Sequence, residues 1–407
     1  MVIGIIGGGA SGMMAALSAC RNTENRVVLF ERQSRLGRKL MATGNGRCNL
    51  SNTNASVEHY HGRDPEFVVP CLERFGVEET LAFFRTLGLV TVTEPDGRIY
   101  PFSDQANSVS DVLRLALEAG PVELRLGCEI RELRREDGGF NVTFDGGEQR
   151  LDRVIVAAGG LAGRQLGGSD MGYELLKSLG HRCTRLYPSL VQLRTDPTWV
   201  RSCKGVRAQA AATLYQGDRV LARETGEVQF TDFGVSGPCI FSLARACAGR
   251  RGMLAVVLDL CPCMSEKEID DHLTARRERF PALTLENYLT GLLHNRLGRT
   301  VLRERGLALT QSAGSLTRSD IARIAAGIKA FRIEVLGPMD LTQAQVTAGG
   351  MRTDEFDPVT LESRLVPGLY ATGEVLDVDG DCGGFNLQWA WSSGWTAGLT
   401  EHREAAT

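Results

Sequence analysis

Val2-Ile3-Gly4-Ile5-Ile6-Gly7-Gly8-Gly9-Ala10-Ser11-Gly12 opens the chain with an apolar, β-favouring run that breaks into glycines and small residues. Gly7, Gly9 and Gly12 stand at the spacing G-x-G-x-x-G, and Met13–Cys20, rich in Ala, Leu and Met, reads as the helix that follows. A second strand, Val27-Val28-Leu29-Phe30, ends at Glu31, 19 residues after Gly12. Each glycine has a separate task. Gly7 permits the tight turn, Gly9 lets backbone approach a pyrophosphate, and Gly12 lets helix and strand pack closely. The helix start at Ala10 and Ser11 turns its amides to the phosphates, and Glu31, with Arg32 beside it, is placed to take a ribose hydroxyl. This predicts an α/β dinucleotide-binding fold around a parallel sheet.

The next residues favour FAD over a nicotinamide. Gly37-Arg38-Lys39-Leu40 follows the second strand, and Thr43-Gly44-Asn45-Gly46-Arg47-Cys48-Asn49 gives a second Gly-rich loop. A dinucleotide lying extended across the sheet, with a flavin at its far end, has a use for that loop. Arg38 and Lys39 would neutralise the pyrophosphate, while Thr43, Gly44, Asn45 and Asn49 would lie against the isoalloxazine. Further on, Asp152–Gly160 is an apolar strand running into the turn Ala158-Gly159-Gly160, and Gly368–Glu374 is another strand that ends on Gly373 and an acid. Gly383-Gly384-Phe385-Asn386 then leads into a helix over Leu387–Gly398, whose positive end would stabilise negative charge on the reduced ring.

These blocks resemble the BaiN-like flavoproteins, also described as aminoacetone-oxidase-like, NAD(P)/FAD-dependent oxidoreductases. The resemblance rests on Ile5–Gly12, Gly37-Arg38-Lys39, Gly44–Leu50, Phe230–Pro238, Val346–Gly350, Gly373–Gly380 and Gly383–Gln388, in order along nearly the whole chain. Phe385 departs from the Tyr more usual there, so no phenol is expected at that place. The resemblance implies a two-dinucleotide-binding-type, Rossmann-like FAD domain built from both chain ends, interrupted by an insert. It further implies that Glu31 holds the adenosine ribose, that Arg38 and Lys39 line the cofactor, and that Ile130 meets the adenine through its backbone. Glu374 and Asp377 would sit near the ribityl and phosphate, and Asn386 and Leu387 near the flavin. Members are oxidoreductases, some of them reducing unsaturated bile-acid intermediates.

The expected domains are 1–187 and 338–407 for FAD, an inserted β-barrel-like unit at 188–262 and a helical subdomain at 263–337. Within the insert, Val206–Tyr215 and Arg219–Phe230 alternate as a hairpin around Gln216-Gly217-Asp218, and Met253–Leu260 reads as a further strand. Ser265 with Glu268 forms a capping box for a charged helix Lys267–Arg279, with two more helices expected at Leu285–Leu297 and Ser319–Ala330. The insert is expected to cover the flavin as a substrate lid. His402–Thr407 reads as a disordered tail.

Composition narrows the function. With 46 Lys+Arg against 49 Asp+Glu the net charge is −3, which argues against binding nucleic acid or anionic membranes by bulk charge. The glycines, 47 of 407 residues, fit many tight turns and close backbone approaches. The eleven cysteines are too dilute for a disulfide scaffold, and Cys261-Pro262-Cys263 lacks the second pair or His cluster that a metal would need. No metal is expected, and reduced thiols point to the cytoplasm. Residues 1–20 carry no charge, but they lack a basic start and are broken by glycines, so neither a signal peptide nor a membrane anchor is expected.

The partner is expected to be a small-molecule substrate; the sequence sets no oligomeric state. No second G-x-G-x-x-G is present, so NAD(P)H would act as a transient reductant in the cleft. For the chemistry, Arg47 is a candidate to anchor an anionic or carbonyl substrate, its alternative being a structural ion pair. Cys48, with Cys382, is either a dithiol exchanging electrons with the flavin or simple packing against the ring. His181 and His294 are read as structural. The expected activity is hydride transfer between bound FAD and a small organic substrate, through reduction of an activated C=C or oxidation of an amine or alcohol. Two other functions are compatible with the sequence: a flavin-dependent nucleic-acid-modifying enzyme and a non-catalytic flavin-binding redox sensor.

Overall fold

The computed structural model describes residues 1–250 and 252–400, so the expected tail at 402–407 lies outside the described residues. Two units emerge. Met1–Tyr187 joins the chain from Gln345 onward, and Pro188–Ala344 forms the other.

The first unit is built on a five-stranded parallel sheet. Its centre is β1 (Val2–Ile6), flanked by Arg153–Val156 and by β2 (Arg26–Glu31), with Leu369–Ala371 and Val122–Leu126 at the edges. The register sets Gly4 beside both Val28 and Val154, and Val154 beside Leu369. Ile3, Ile5 and Ile6 are buried, as a parallel strand covered on both faces requires. One strand therefore comes from more than 200 residues downstream of its neighbour, so neither chain end can complete the sheet alone.

α1 (Ala10–Ala19) crosses this sheet and packs against the C-terminal helix Phe385–Gly398. Both crossings need the smallest residue. A Cβ on Gly12 would stand 1.8 Å from the Gly7 carbonyl oxygen, and one on Gly394 would stand 2.4 Å from the Ser11 oxygen. Trp389 and Trp391 lie buried on the C-terminal helix, their indole N–H groups donating to the carbonyls of Gly373 (3.1 Å) and Leu50 (2.9 Å). Each buried indole is thus satisfied, as burial in an apolar core demands.

The second unit holds a closed six-stranded barrel. Its order is Leu193–Thr195, Gly234–Ser236, Arg219–Phe230, Arg207–Gln216, Leu254–Asp259 and Phe331–Pro338, which returns to the first. The expected hairpin forms, with Gln216 opposite Arg219 across Gly217. Helices Glu266–Arg279 and Arg318–Lys329 each begin with a capping box, Ser265 with Glu268 and Thr317 with Asp320.

Two expectations for the insert change. Leu285–Leu297 is not a helix: only Leu285–Asn287 makes a 3-10 turn, Gly291 takes φ +94°, and the helix starts at Asn295 and runs to Glu304. The apolar spacing was real, but Gly291 cannot continue a right-handed helix at that φ. The stretch assigned to helices up to 337 also contains the last barrel strand, Phe331–Pro338. There Phe331, Ile333 and Val335 face inward while Arg332, Glu334 and Leu336 are exposed. That alternation is a strand period, not a helical one. No helix among the described residues is long and apolar enough to cross a membrane.

Candidate functional site

The site lies in the first unit. The turn from β1 into α1 is held by Gly7 N–H donating to Phe30 O at 2.8 Å, and a Cβ on Gly9 would meet nothing within 4 Å. Gly9 caps α1 without a side-chain hydrogen bond, and no acid sits in its first turn. The first amides of α1 are therefore free to meet an anion. At the end of β2, Glu31 Oε2 accepts from Gly8 N at 2.7 Å and Oε1 from Gln33 N at 2.7 Å, which fixes the carboxylate and leaves lone pairs for hydroxyl donors.

A small cleft opens beside it, lined by Gly7, Glu31, Arg32, Ile130 and Ala158 among others. Arg32 is tied to the Gly167 carbonyl at 2.8 Å. At Ile130 the strand pairing slips, with Ile130 opposite Phe144 but Glu132 opposite Thr143, so backbone there leaves the regular ladder.

Lys39 Nζ meets Glu374 Oε2 at 2.7 Å, and Glu374 Oε1 accepts from Thr347 N at 2.8 Å. Residues from the start and end of the sequence are thereby clamped together. Gly160 packs against this clamp, since a Cβ on it would be 2.5 Å from Thr347 Oγ1, while Gly159 faces open space. Gly373 N donates to Ser393 Oγ at 3.0 Å, and Asp377 is buried. Arg38 instead points outward and donates to Gln33 Oε1 at 2.7 Å.

The second Gly-rich loop is an unusual piece of backbone. Gly44, Asn45, Gly46 and Cys48 all take positive φ, and Thr43 Oγ1 donates to Leu40 O at 2.7 Å. Positive φ at Asn45 and Cys48 is conformational strain of the kind that gathers at binding sites. Arg47 is held by Glu94 at 2.8 Å and by Asp104, with its guanidinium 4.0 Å over the Tyr100 ring; both acids push its pKa up. Cys48 is fully buried, and burial pushes its thiol up to about 12, so it stays protonated near neutral pH. None of the eleven cysteines forms a disulfide, Cys48 and Cys382 included.

Asn49 Oδ1 is buried with no hydrogen-bond partner among the described residues, beside Gly384. Gly384, at φ +100°, starts the C-terminal helix, again with no side-chain cap and no acid in the first turn. Phe385, Asn386 and Leu387 form that first turn. The Asn386 side chain is locked to Gly380, accepting from its N–H at 2.8 Å and donating to its carbonyl at 2.7 Å.

Sequence reasoning missed one cluster. His59 Nδ1 lies 3.1 Å from Asp381 Oδ2, and His61 Nε2 lies 2.7 Å from Asp381 Oδ1. His59 also stacks on Phe385, with ring centroids 4.1 Å apart. Burial pushes the Asp381 carboxyl up, but the hydrogen bonds to His61 and His59 outweigh it and hold the group below its ordinary value. The only signal was the His-x-His spacing. Its carboxylate partner sits more than 300 residues away, placed by pairing of Tyr60–His61 with Asp379–Gly380.

The arrangement fits FAD. Two uncapped helix starts, a fixed carboxylate at the end of β2, a cleft beside it and an orphaned buried oxygen on Asn49 are what a diphosphate, a ribose, an adenine and a flavin ring edge would each satisfy.

Residues 1–400 match the family described as HI0933-like protein Rossmann domain. The chain belongs to this family. It is 39% identical over 402 residues to 3-dehydro-bile acid delta(4,6)-reductase of Clostridium scindens, covering 97% of this chain and 98% of that one. It is 29% identical over 394 residues to ribosomal RNA dihydrouridine synthase of Escherichia coli, covering 96% and 95%. Among solved structures, 3-ketosteroid delta1-dehydrogenase of Sterolibacterium denitrificans shares the fold, with a TM-score of 0.51 at 13% identity over 97% of this chain and 98% of that one. This HI0933-like protein is an FAD-dependent oxidoreductase.

Proposed function

We propose that this enzyme adds hydrogen across a carbon–carbon double bond conjugated to a carbonyl in a small organic substrate, with NADH or NADPH as the transient reductant in a reducing cytoplasm. The observation that carries this is a cradle that fits FAD, in a chain two of whose full-length relatives bear names that each describe adding hydrogen across a C=C bond. Bound FAD supplies the hydride. The chain's own residues do the rest. The first amides of α1 would neutralise the diphosphate, Glu31 would hold the ribose, and Lys39 with Glu374 would fix the middle of the cradle. Asn49 Oδ1 would be available to accept a ring N–H, and the start of the C-terminal helix would favour negative charge at the ring edge.

Hydride addition leaves the neighbouring carbon needing a proton. His59 and His61, sharing Asp381, are the groups proposed to hold it. With Nδ1 of His59 on Asp381, Nε2 is the ring atom proposed to carry the proton. Arg47 is proposed to brace the loop through Glu94 and Asp104, and Cys48 to pack there as a thiol.

A second substrate class has its own support. Positive charge is concentrated in the insert: residues 188–344 carry 21 Lys+Arg against 16 Asp+Glu, whereas the remaining residues carry 25 against 33. A polyanion such as ribosomal RNA would be drawn to that excess, as the Escherichia coli relative's name would suggest.

One experiment separates the two. The flavin-loaded protein is bleached anaerobically with NADH or NADPH, then mixed with either a 3-keto-4,6-diene steroid acid or unmodified ribosomal RNA. Return of the flavin absorbance with the dienone alone supports the small-substrate reading. Return with RNA alone, weakened by salt, replaces it with the second. Failure of both nicotinamides to bleach the flavin removes them as reductant.

A further inference from the structure

The insert carries a thiol pair that the hydride chemistry does not use. After strand Leu254–Asp259 the chain turns through Cys261-Pro262-Cys263-Met264 and enters helix Glu266–Arg279 at its cap, Ser265. Met264 N donates to Cys261 O at 3.2 Å, which closes the turn with Pro262 at its second position, where a fixed φ is favourable. Lys329 clamps the turn from outside. Its Nζ donates to Met264 O at 2.6 Å and Cys261 O at 3.2 Å and pairs with Asp259 at 2.5 Å. Asp259 Oδ1 in turn accepts from Cys261 N at 3.0 Å.

Held this way, the Cys261 and Cys263 sulfurs stand 3.7 Å apart, Cys261 buried and Cys263 exposed. A disulfide needs about 2.05 Å, and the gap is within reach of side-chain rotation in so short a loop. We propose that Cys261 and Cys263 form a redox-modifiable dithiol that exchanges with low-molecular-weight disulfides and closes to an intramolecular disulfide.

The exposed Cys263 reacts first. Its sulfur, having given its proton to solvent, attacks one sulfur of the small disulfide; the S–S bond breaks and one thiolate leaves and takes up a proton. Cys261 then loses its proton, attacks the Cys263 sulfur and expels the second thiolate. The two protein thiols are oxidised by two electrons in total, and the small disulfide is reduced to two thiols. Burial and the neighbouring thiol push Cys261 up to about 11, so it stays a thiol until Cys263 has reacted, and the Lys329 ammonium favours the thiolate as it forms. Cys48, Cys71 and Cys247 are buried in apolar surroundings and are not open to the same attack.

The test is to incubate the flavin-loaded full-length protein with oxidised glutathione, unfold it in denaturant, block remaining thiols with iodoacetamide, and map the peptides by mass. The expected result is loss of two of the eleven alkylatable thiols, both on the peptide holding Cys261 and Cys263, with a mass lower by two hydrogens and full reversal by dithiothreitol. C261S should stop at one glutathionyl group on Cys263, and C263S should leave Cys261 alkylatable. The proposal is overturned if wild-type protein keeps a stable glutathionyl adduct on Cys263 with Cys261 still alkylated. It is equally overturned if the pair stays reduced while other cysteines are oxidised. The wild-type result decides either way, so a variant that fails to fold does not shield the idea.

Discussion

At the scale of single residues, His181 shows why geometry must be read together with burial. Ser363 Oγ lies 2.9 Å from His181 Nε2, and His181 Nδ1 lies 3.1 Å from Glu355 Oε2, the order of a hydrolytic triad. All three residues are buried, and Ser363 Oγ already accepts from Leu365 N at 3.1 Å and Val366 N at 2.8 Å, so it is a clamp rather than a nucleophile. Burial holds His181 below its ordinary value of 6.5, and the folded protein keeps it neutral. The unfolded chain binds that proton more readily, so stability present above pH 6.5 is lost as pH falls toward the folded value, at up to about 1.4 kcal/mol per pH unit. Glu355, held low by Arg182 and His181 against the push of burial, adds a further loss below its ordinary 4.5. In denaturant titrations from pH 7 to 5, H181N should start about 1–3 kcal/mol less stable and show a flatter pH dependence; an unchanged slope would assign the loss to other groups. At Asp381 the expected effect is kinetic. D381N should slow substrate reduction about 100-fold while NAD(P)H-driven bleaching keeps its rate, and equal slowing of both steps would place the cluster outside proton transfer.

At the scale of elements, the crossing of α1 and the C-terminal helix places both uncapped helix starts in one cradle. Gly394 sets that approach, because a Cβ there would be driven to 2.4 Å from the Ser11 carbonyl. G394A should cost about 1–3 kcal/mol, lowering the thermal midpoint by about 2–4 °C per kcal/mol, and flavin retention through gel filtration should fall with it. A variant that keeps both would mean the helices have slack that the packing does not reveal. The same scale explains the insert's helices. Ser265 announced its helix through local capping chemistry, and Thr317 with Asp320 caps the later helix two residues ahead of its expected start at Ser319, whereas Leu285–Leu297 offered apolar spacing without a cap. The helix there begins only after His294, whose Nδ1 accepts from Arg296 N at 3.2 Å, a capping role not signalled by residue type.

At the scale of the whole molecule, every strand of the parallel sheet and every group assigned to FAD belong to the unit formed by Met1–Tyr187 and the chain after Gln345. Replacing residues 190–343 with a short Gly/Ser linker should therefore leave a protein that retains the flavin spectrum. A linker variant without flavin would show that the first unit needs the insert to fold. The insert's barrel closes on itself through Phe331–Pro338 and has its own buried core, so it should give a cooperative melt when expressed alone.

The sequence alone determined the β1–α1–β2 unit, because glycine spacing, an apolar strand and an acid at its end are local requirements of backbone and phosphate. It also determined the strand over Arg153–Val156, the Gln216–Arg219 hairpin and the two capped helices, each specified within a few residues. Only the tertiary structure decided what depends on distant partners. The pairing of Tyr60–His61 with Asp379–Gly380 brought two histidines to Asp381, Glu94 and Asp104 claimed Arg47, and Lys39 found Glu374. The barrel likewise closed with a strand that lies next to a helix in sequence. Hydrogen bonds and ion pairs across hundreds of residues leave no periodic mark on either segment. They are set by which strands share a sheet, and that is settled only when the whole apolar core is buried together.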